Sequence, residues 1–151
     1  MPNIIRMRVY DRPGVLDRIT GLIRRNGLNI KTITSGNVAE GISQITISLG
    51  EHVRLETLGD RFREMTSVRQ WERCTPAKHL TRELLLARFS ADQKDMMEDG
   101  MRVIREEGGM TFVEYVADPA TIEETLANLT ARGVACARGG AIAVSLAEGD
   151  I

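Results

Sequence analysis

The chain has 151 residues, of which 42% are hydrophobic, so it can bury a core as one domain or as two small ones. Its 20 basic and 21 acidic residues leave a net charge of −1, and so small a charge gives no field of one sign that would attract nucleic acid or anionic lipid. No apolar run is long enough to span a membrane and the N-terminus lacks a signal-peptide pattern, so we expect a soluble, cytoplasmic protein with no membrane partner.

The first predicted strand begins at residue 3 and ends before Asp11. Ile5, Met7 and Val9 alternate with polar or amphipathic side chains, which is the period of a strand with one face on a core. The sequence Asp11-Arg12-Pro13-Gly14 then breaks the strand, because proline and glycine favour a turn. Taken alone this is ordinary turn chemistry. Because a helix follows directly, the turn is also a candidate ligand-binding loop.

That helix begins after Gly14 and ends at Asn26-Gly27, residues that most easily adopt the left-handed conformation at which helices stop. The amides of its first turn, at Gly14, Val15 and Leu16, have no bulky side chain at Gly14 to cover them. Such a helix N-terminus readily accepts a small anion. Asn29 begins the next strand, where a side-chain amide can reach a polar group of a ligand. The helix is predicted from one apolar stripe: Val15, Leu16, Ile19, Leu22 and Ile23.

The remainder of the first unit adds two strands, a helix and a strand. A short strand over 30–34 leads into a polar connection over 35–41, and a third strand follows through Leu49. The second helix is predicted from the spacing of Leu55, Leu58, Phe62 and Met65, and a fourth strand covers 68–73. Periodicity alone therefore predicts the order strand, helix, strand, strand, helix, strand.

A boundary is expected at Thr75-Pro76-Ala77-Lys78, where proline separates two periodic regions. The second unit is predicted to have one strand between its helices, because Asp118-Pro119 already has the signature of a helix start. Its predicted elements are a strand over 83–89, a helix over 92–107 with Met97, Met101 and Ile104 inward, a stop at Gly108-Gly109, a strand over 111–116, a helix through Ile122, Leu126 and Leu129, and a closing pair, 134–137 and 141–146, around Arg138-Gly139-Gly140.

No catalytic site is predicted. His52 and His79 are the two imidazoles, and both are expected to be solvated loop residues rather than acid-base catalysts. No nucleophile, phosphate-binding or zinc motif occurs, and Cys74 and Cys136 are isolated, as structural cysteines are. The chain is therefore expected to be neither an enzyme nor a metal protein, and to carry no cofactor of its own.

The sequence Asp11-Arg-Pro-Gly-Val-Leu16, followed by Asn29-Ile30, resembles the opening of an ACT domain, the βαββαβ module that senses amino acids in metabolic enzymes. Residues 26–34 and 42–47 sharpen this resemblance to the regulatory small subunits of acetolactate synthase (acetohydroxyacid synthase). The resemblance implies an α+β fold: a ferredoxin-like ACT domain over 1–75, followed by a second, smaller α+β domain over 80–151. The single strand predicted between the helices of the second domain departs from the family, which has two.

The resemblance also implies where a ligand binds. The pocket would lie between two chains paired edge strand to edge strand. Backbone amides near Gly14, Val15 and Leu16 would hold an amino acid's carboxylate, and Asn29 and Ile30 of the neighbouring chain would close the site. Asp11 would face the ammonium group. Many small subunits have asparagine at the position of Asp11, so valine as the effector is an implication of the resemblance and not of these residues.

The function implied is that of a non-catalytic subunit that is dimeric through its ACT domain. It would bind and activate the large catalytic subunit, and it would transmit feedback inhibition by a branched-chain amino acid, most often valine. Thiamine diphosphate, magnesium and flavin would belong to that partner. Two alternatives stay open: a free-standing, amino-acid-sensing ACT protein that regulates a different metabolic enzyme, and a minimal enzyme with an unrecognised site.

Overall fold

The computed structural model describes residues 2–51 and 53–149, which contain two four-stranded sheets. The first sheet has the strand order β2-β3-β1-β4 and the second has the order β6-β7-β5-β8. None of the helices in these ranges has the length and apolarity that a membrane span requires. The elements are β1 Asn3–Tyr10, α1 Val15–Arg25, β2 Ile30–Ala39, β3 Ile42–Leu49, α2 Glu56–Glu64, β4 Val68–Cys74, β5 His79–Phe89, a short 3-10 helix Ala91–Met96, β6 Arg102–Glu107, β7 Met110–Ala117, α3 Pro119–Ala131 and β8 Ala135–Ser145.

The α+β fold and the βαββαβ order of the first unit are confirmed. Its core lies between the sheet and the two helices, and fully buried side chains such as Ile5, Met7, Ile19 and Phe62 come from both layers. Strand β2 is longer than predicted, because the polar residues Ser35 to Asn37 continue the pairing with β3 as far as Ala39. The turn to β3 lies instead at Glu40-Gly41.

The opposite face of the first sheet is also covered. The described residues up to Thr81 form one compact unit together with those from Gly140 onward, and Arg82–Gly139 form the second unit. The carbonyl of Ala143 accepts hydrogen bonds from Arg6 Nη1 at 3.3 Å and from Gln44 Nε2 at 3.0 Å. Arg6, Thr46 and Ser48 on that face are accordingly buried. The domain limits 1–75 and 80–151 stay a prediction.

A cluster of charged and polar groups lies on this covered face, in which Arg6 and His79 are buried and Glu72 is half-buried. Arg6, on β1, donates from Nε to Glu72 Oε1 at 2.6 Å, and His79 Nε2 lies 3.2 Å from the same oxygen. Burial alone would raise the pKa of Glu72, but its hydrogen bonds and charge interactions with Arg6 and His79 leave that pKa below its usual value. His79 Nδ1 accepts a hydrogen bond from the backbone amide of Thr75. The prediction of a solvated loop histidine is thus wrong for His79, and His52 lies outside the described residues.

The second unit corrects the largest error of the sequence interpretation. The helix predicted over 92–107 is wrong: the chain forms a short 3-10 helix, Ala91–Met96, followed by strand β6, Arg102–Glu107. Gly100 lies between these two elements and has a φ of +92°, a conformation that L side chains rarely adopt. Gly108 and Gly109 form the turn between β6 and β7 rather than a helix stop. Two strands therefore lie between the helices, and the expected departure from the family does not exist.

The last predicted pair of strands is also wrong, because Ala135–Ser145 is one continuous strand through Gly139 and Gly140. Gly140 is needed for close packing and not for a turn: a Cβ there would lie 2.6 Å from Thr34 Oγ1. The predicted start of α3 is confirmed. Asp118, directly before Pro119, is the N-cap, and its Oδ1 accepts a hydrogen bond from the amide of Thr121 at 3.0 Å.

Candidate ligand-binding site

The turn after β1 has the geometry of an exposed helix start. Gly14 is the N-cap residue of α1, with φ +85° and ψ −6°, and no side chain caps the helix. A Cβ at Gly14 would meet nothing within 4 Å, so the space in front of the first turn is open. The positive φ explains why glycine is needed here, whereas the open space makes the loop accessible to a ligand.

Two amides of the first turn of α1 have no hydrogen-bond acceptor within 2–51 and 53–149. They belong to Leu16 and Asp17, whereas the amide of Val15 donates to the carbonyl of Arg12 at 3.3 Å. Helix N-termini leave such donors unsatisfied, and together with the helix dipole they favour a bound anion. Of the predicted donors Gly14, Val15 and Leu16, the amide of Leu16 therefore has no acceptor within the described residues, whereas that of Val15 is already hydrogen-bonded. The amide of Asp17 is a further donor that the sequence interpretation missed, although the count of orphan amides in a first turn points to it.

The side chains of this turn differ in their burial. The side chain of Val15 is buried on the inner face of α1, whereas that of Leu16 is 45% exposed. Asp11 is exposed, its backbone amide donates to the carbonyl of Gly41 at 2.8 Å, and its carboxylate has no hydrogen-bond or ion-pair partner in the part of the chain that the structure describes. The guanidinium of Arg12 lies 5.1 Å from the centre of the Tyr10 ring. Asp11 thus presents an exposed, unpaired carboxylate in the same loop as Gly14, three residues before it.

Asn29 and Ile30 lie at the other end of the sheet in the same chain. Ile30 is level with Leu49, which is the partner of Asn3 at the start of β1, whereas the loop follows the end of β1 at Tyr10. At about 3.3 Å per residue, the length of β1 separates the two groups by about 23 Å. One chain does not bring Asn29 and Ile30 to the Gly14 turn, and these two residues can complete the site only from a second copy.

Strand β2 is an edge of the first sheet, because it is paired only with β3 in the strand order. Its side chains are mostly exposed, including the apolar Ile33 at 39% and Val38 at 49%. An exposed edge of this kind offers unpaired backbone groups to another strand. The edge therefore offers a ten-residue strand with two exposed apolar side chains to a partner strand.

A scan against protein families and two searches of known proteins agree on the relatives of this chain. Residues 5–70 match the family described as AHAS small subunit-like ACT domain. A probable acetolactate synthase small subunit of Methanothermobacter thermautotrophicus is 30% identical over 82% of this chain and 74% of its own length. The acetolactate synthase small subunit of Aquifex aeolicus is also 30% identical over 82% of the chain, which is 65% of that protein.

A solved structure shows the same fold over almost the whole chain. The crystal structure of an acetolactate synthase small subunit from Thermotoga maritima superposes with a TM-score of 0.79, covering 98% of this chain and 99% of that one. Its sequence is 22% identical to this chain, so the likeness concerns the fold. Both sheets, and not only the first one, therefore have a counterpart in that structure.

Proposed function

Because the chain belongs to the family of acetolactate synthase small subunits, which are regulatory ACT proteins, we propose that it is a non-catalytic subunit. It binds and activates a catalytic acetolactate synthase subunit. It also makes this enzyme sensitive to a branched-chain amino acid. Valine is the proposed effector. The single observation that carries the ligand-binding part is the open first turn of α1, where Gly14 leaves the amides of Leu16 and Asp17 without an acceptor.

The proposed ligand is a zwitterionic amino acid held by both of its charged groups. Its carboxylate accepts hydrogen bonds from the amides of Leu16 and Asp17, where the dipole of α1 adds to the attraction. Its ammonium group faces Asp11, whose carboxylate has no other partner within the described ranges. The exposed side chain of Leu16 offers an apolar contact to an aliphatic effector.

The topology of the first sheet supports a site shared by two chains. Strands β1 and β2 run in the same direction, because both pair antiparallel with β3, and both end beside Ile42. If β2 pairs antiparallel with β2 of a second copy, the start of the second β2 lies beside the end of the first. Asn29 and Ile30 of the second copy then reach the same end of the sheet as the Gly14 turn. A homodimer has two such sites by symmetry.

The proposed control mechanism is linkage between two binding events. The ligand at the dimer seam favours one arrangement of the paired ACT units, and the catalytic subunit binds the other arrangement more tightly. A coupling free energy of about 1 to 3 kcal/mol is sufficient for a useful response. Thiamine diphosphate, magnesium and flavin are proposed to belong to the catalytic subunit, which acts with this chain in the cytoplasm.

The test is acetolactate formation by the catalytic subunit of the same organism, with and without this chain. We expect the chain to raise the rate, valine to reduce the raised rate, and the chain alone to form no product. Co-purification of the tagged chain separates the alternatives. A different stable enzyme in place of the synthase supports a free-standing ACT regulator, and turnover by the isolated chain contradicts a purely regulatory role.

A further inference from the structure

The second edge of the first sheet differs from β2 in its chemistry. Strand β4 is paired only with β1 in the strand order, so its outer side offers unpaired backbone groups to an added strand. It carries Arg69 and Arg73, both exposed, on either side of the half-buried Trp71. We call the surface formed by these three residues, together with Arg63 of α2, the β4 edge.

Trp71 lies at the centre of the β4 edge and packs against α2. One side of its indole lies against Gly59 of α2, and its ring centre is 5.9 Å from that of Phe62, at an interplanar angle of 55°. The guanidinium of Arg63 lies 5.5 Å from the indole centre, within the range of a cation–π contact. Two surface depressions border the indole, one beside Arg69 and the other beside Arg73. Aromatic side chains fixed in this manner are typical anchors of protein interfaces.

The charges of the β4 edge are incompletely paired. Arg63 binds Asp60 Oδ1 at 2.6 Å, and Glu56 also lines the depression beside Arg73. Arg69 and Arg73 themselves have no carboxylate partner in the part of the chain that the structure describes. Glu72, the one acidic residue of β4, is occupied on the opposite face of the sheet by Arg6 and His79. The edge therefore has two free cations and no free carboxylate within the strand.

These charges disfavour a second copy as the occupant of β4. Full antiparallel pairing of Val68–Cys74 with itself is centred on Trp71, so Arg69 would lie opposite Arg73 of the other copy. Like charges directly opposite each other destabilise a strand pair. Strand β2 has no such repulsion in its apolar positions, where Ile33 and Val38 are exposed. The two edges of one sheet are thus suited to different partners, β2 to a copy of itself and β4 to a strand of opposite charge.

We propose that β4 is the docking edge for an extended, acidic segment of the catalytic subunit. This inference rests on the proposed function, since that subunit supplies the segment. The segment adds a strand beside β4 through backbone hydrogen bonds, packs an apolar side chain on Trp71, and places carboxylates at Arg69 and Arg73. Strand addition gives affinity through the main chain, and the side-chain contacts give specificity.

The test compares charge-reversal variants in binding to the purified catalytic subunit. Arg69→Glu with Arg73→Glu is expected to weaken binding at least about tenfold, because attraction becomes repulsion at two positions. The milder Arg69→Gln with Arg73→Gln should weaken it less, and raised salt should reduce the difference between variants. The matched control is Arg88→Glu with Arg132→Glu, two exposed arginines of the second unit with the same total change of charge.

Each outcome decides between defined alternatives. A loss confined to the β4 variants, with unchanged thermal unfolding, supports the docking edge. Equal weakening by the control pair would mean general electrostatic attraction, and unchanged binding by both would place the contact elsewhere; either result overturns the inference while the proposed function stands. If the wild-type chain does not bind the catalytic subunit, the proposed function fails and the inference with it.

Hydrogen exchange gives a second, independent reading of the wild-type complex. The amides of Val68–Cys74 should gain protection when the catalytic subunit binds, because the added strand buries the outer side of β4. Protection only outside β4 would overturn the inference. Protection of the Val68–Cys74 amides in the chain alone, rising with its concentration, would show that β4 pairs with a second copy instead, and this too overturns it.

Discussion

Gly59 of α2 and Trp71 of β4 are packed so closely that no larger residue fits between them. A Cβ on Gly59 would lie 2.6 Å from the Cη2 atom of the indole, and closer still to Cζ2. Alanine inside a helix usually stabilises it by about 0.5 to 1 kcal/mol relative to glycine. Here we expect the opposite sign: Gly59→Ala should lower the free energy of unfolding by about 1 to 3 kcal/mol, as overpacking does.

Urea unfolding followed by Trp71 fluorescence measures this change, since Trp71 is the single tryptophan of the chain. Gly50→Ala is the control, because a Cβ at Gly50 meets nothing within 4 Å and its φ is not in the left-handed region. That variant should change stability by less than about 0.5 kcal/mol. A Gly59→Ala protein more stable than wild type would show that the indole moves aside freely.

The proposed pairing of two chains through β2 predicts the effect of a charge at Ile33. Ile33→Glu places a carboxylate on an edge that would be buried in the dimer, so we expect it to dissociate the dimer and to abolish amino-acid binding. Light scattering should give twice the chain mass of 16.7 kDa for wild type and 16.7 kDa for the variant. Val103→Glu, on the edge strand β6 of the second sheet, is the matched control and should remain dimeric. A monomeric wild type at micromolar concentration would count heavily against a shared site.

The open turn at Gly14 predicts a separation of two activities. Gly14→Asp places a carboxylate in front of the amides that should hold the ligand's carboxylate, so the valine response should disappear while activation of the catalytic subunit survives. Gly133→Asp is the control for charge and backbone strain, since Gly133 has φ +78° and open space around it. Equal valine sensitivity of wild type and Gly14→Asp would mean that the anion site is elsewhere.

The unpaired carboxylate of Asp11 predicts which ligands bind. Opposite unit charges about 4 Å apart interact by about 1 kcal/mol in water and by about 4 kcal/mol at an effective dielectric constant near 20. Asp11→Asn should therefore weaken the binding of a zwitterionic amino acid about tenfold, as calorimetric titration with valine, leucine, isoleucine and glycine would measure. Tighter valine binding by the variant would show that Asp11 does not contact the ammonium group.

The cluster around Arg6 predicts how stability depends on pH. The folded-state pKa of Glu72 is lower than its usual value of 4.5, despite partial burial, because Arg6 and His79 stabilise the carboxylate. Its contribution is therefore complete above about pH 4.5 and is lost as the pH falls through the lower folded-state pKa. Glu72→Gln should cost about 2 kcal/mol at neutral pH, the worth of a charged hydrogen bond.

Unfolding curves recorded at several pH values check this prediction. The difference between wild type and Glu72→Gln should shrink below pH 4.5, since glutamine resembles the protonated acid. Glu64→Gln, whose carboxylate is an exposed partner of Arg61, serves as the control and should change little at any pH. A constant difference between wild type and Glu72→Gln over the whole acid range would contradict the role given to Glu72.

The first unit was predictable because its strands have one face under helices. Alternating residues such as Ile5 and Met7 must then be apolar, and the stripe of α1 must match them. Edge strands lack this constraint. Its absence explains the wrong end predicted for β2 and the helix predicted in place of β6. Ser35 to Asn37 read as a polar loop although they pair with β3, and the exposed β6, with no buried side chain in Arg102–Glu107, shows no period-two pattern.

Glycines caused the remaining errors, since a glycine has several structural uses. The pattern predicts a helix stop at Gly108-Gly109, which form a hairpin turn, and a turn at Gly139-Gly140, which are extended. The requirement at Gly140 comes from Thr34, more than a hundred residues away, which no local pattern contains. The Gly14 turn was predictable because its requirement, a positive φ before a helix, is local. The proposed contribution of Asn29 at a dimer seam rests on the family resemblance.

The hydrogen bond from Arg6 to Ala143 joins residues 137 positions apart in sequence. During synthesis, β1 to β4 leave the ribosome well before the stretch around Gly140. Until that stretch has been made, the polar face of the first sheet is exposed to water and Arg6 is hydrated. Contacts of such long range slow folding, and exposed intermediates are prone to aggregate. Newly made chains stalled or cut ahead of Gly140 should accordingly be poor folding units, and truncation studies of this protein need to keep that stretch.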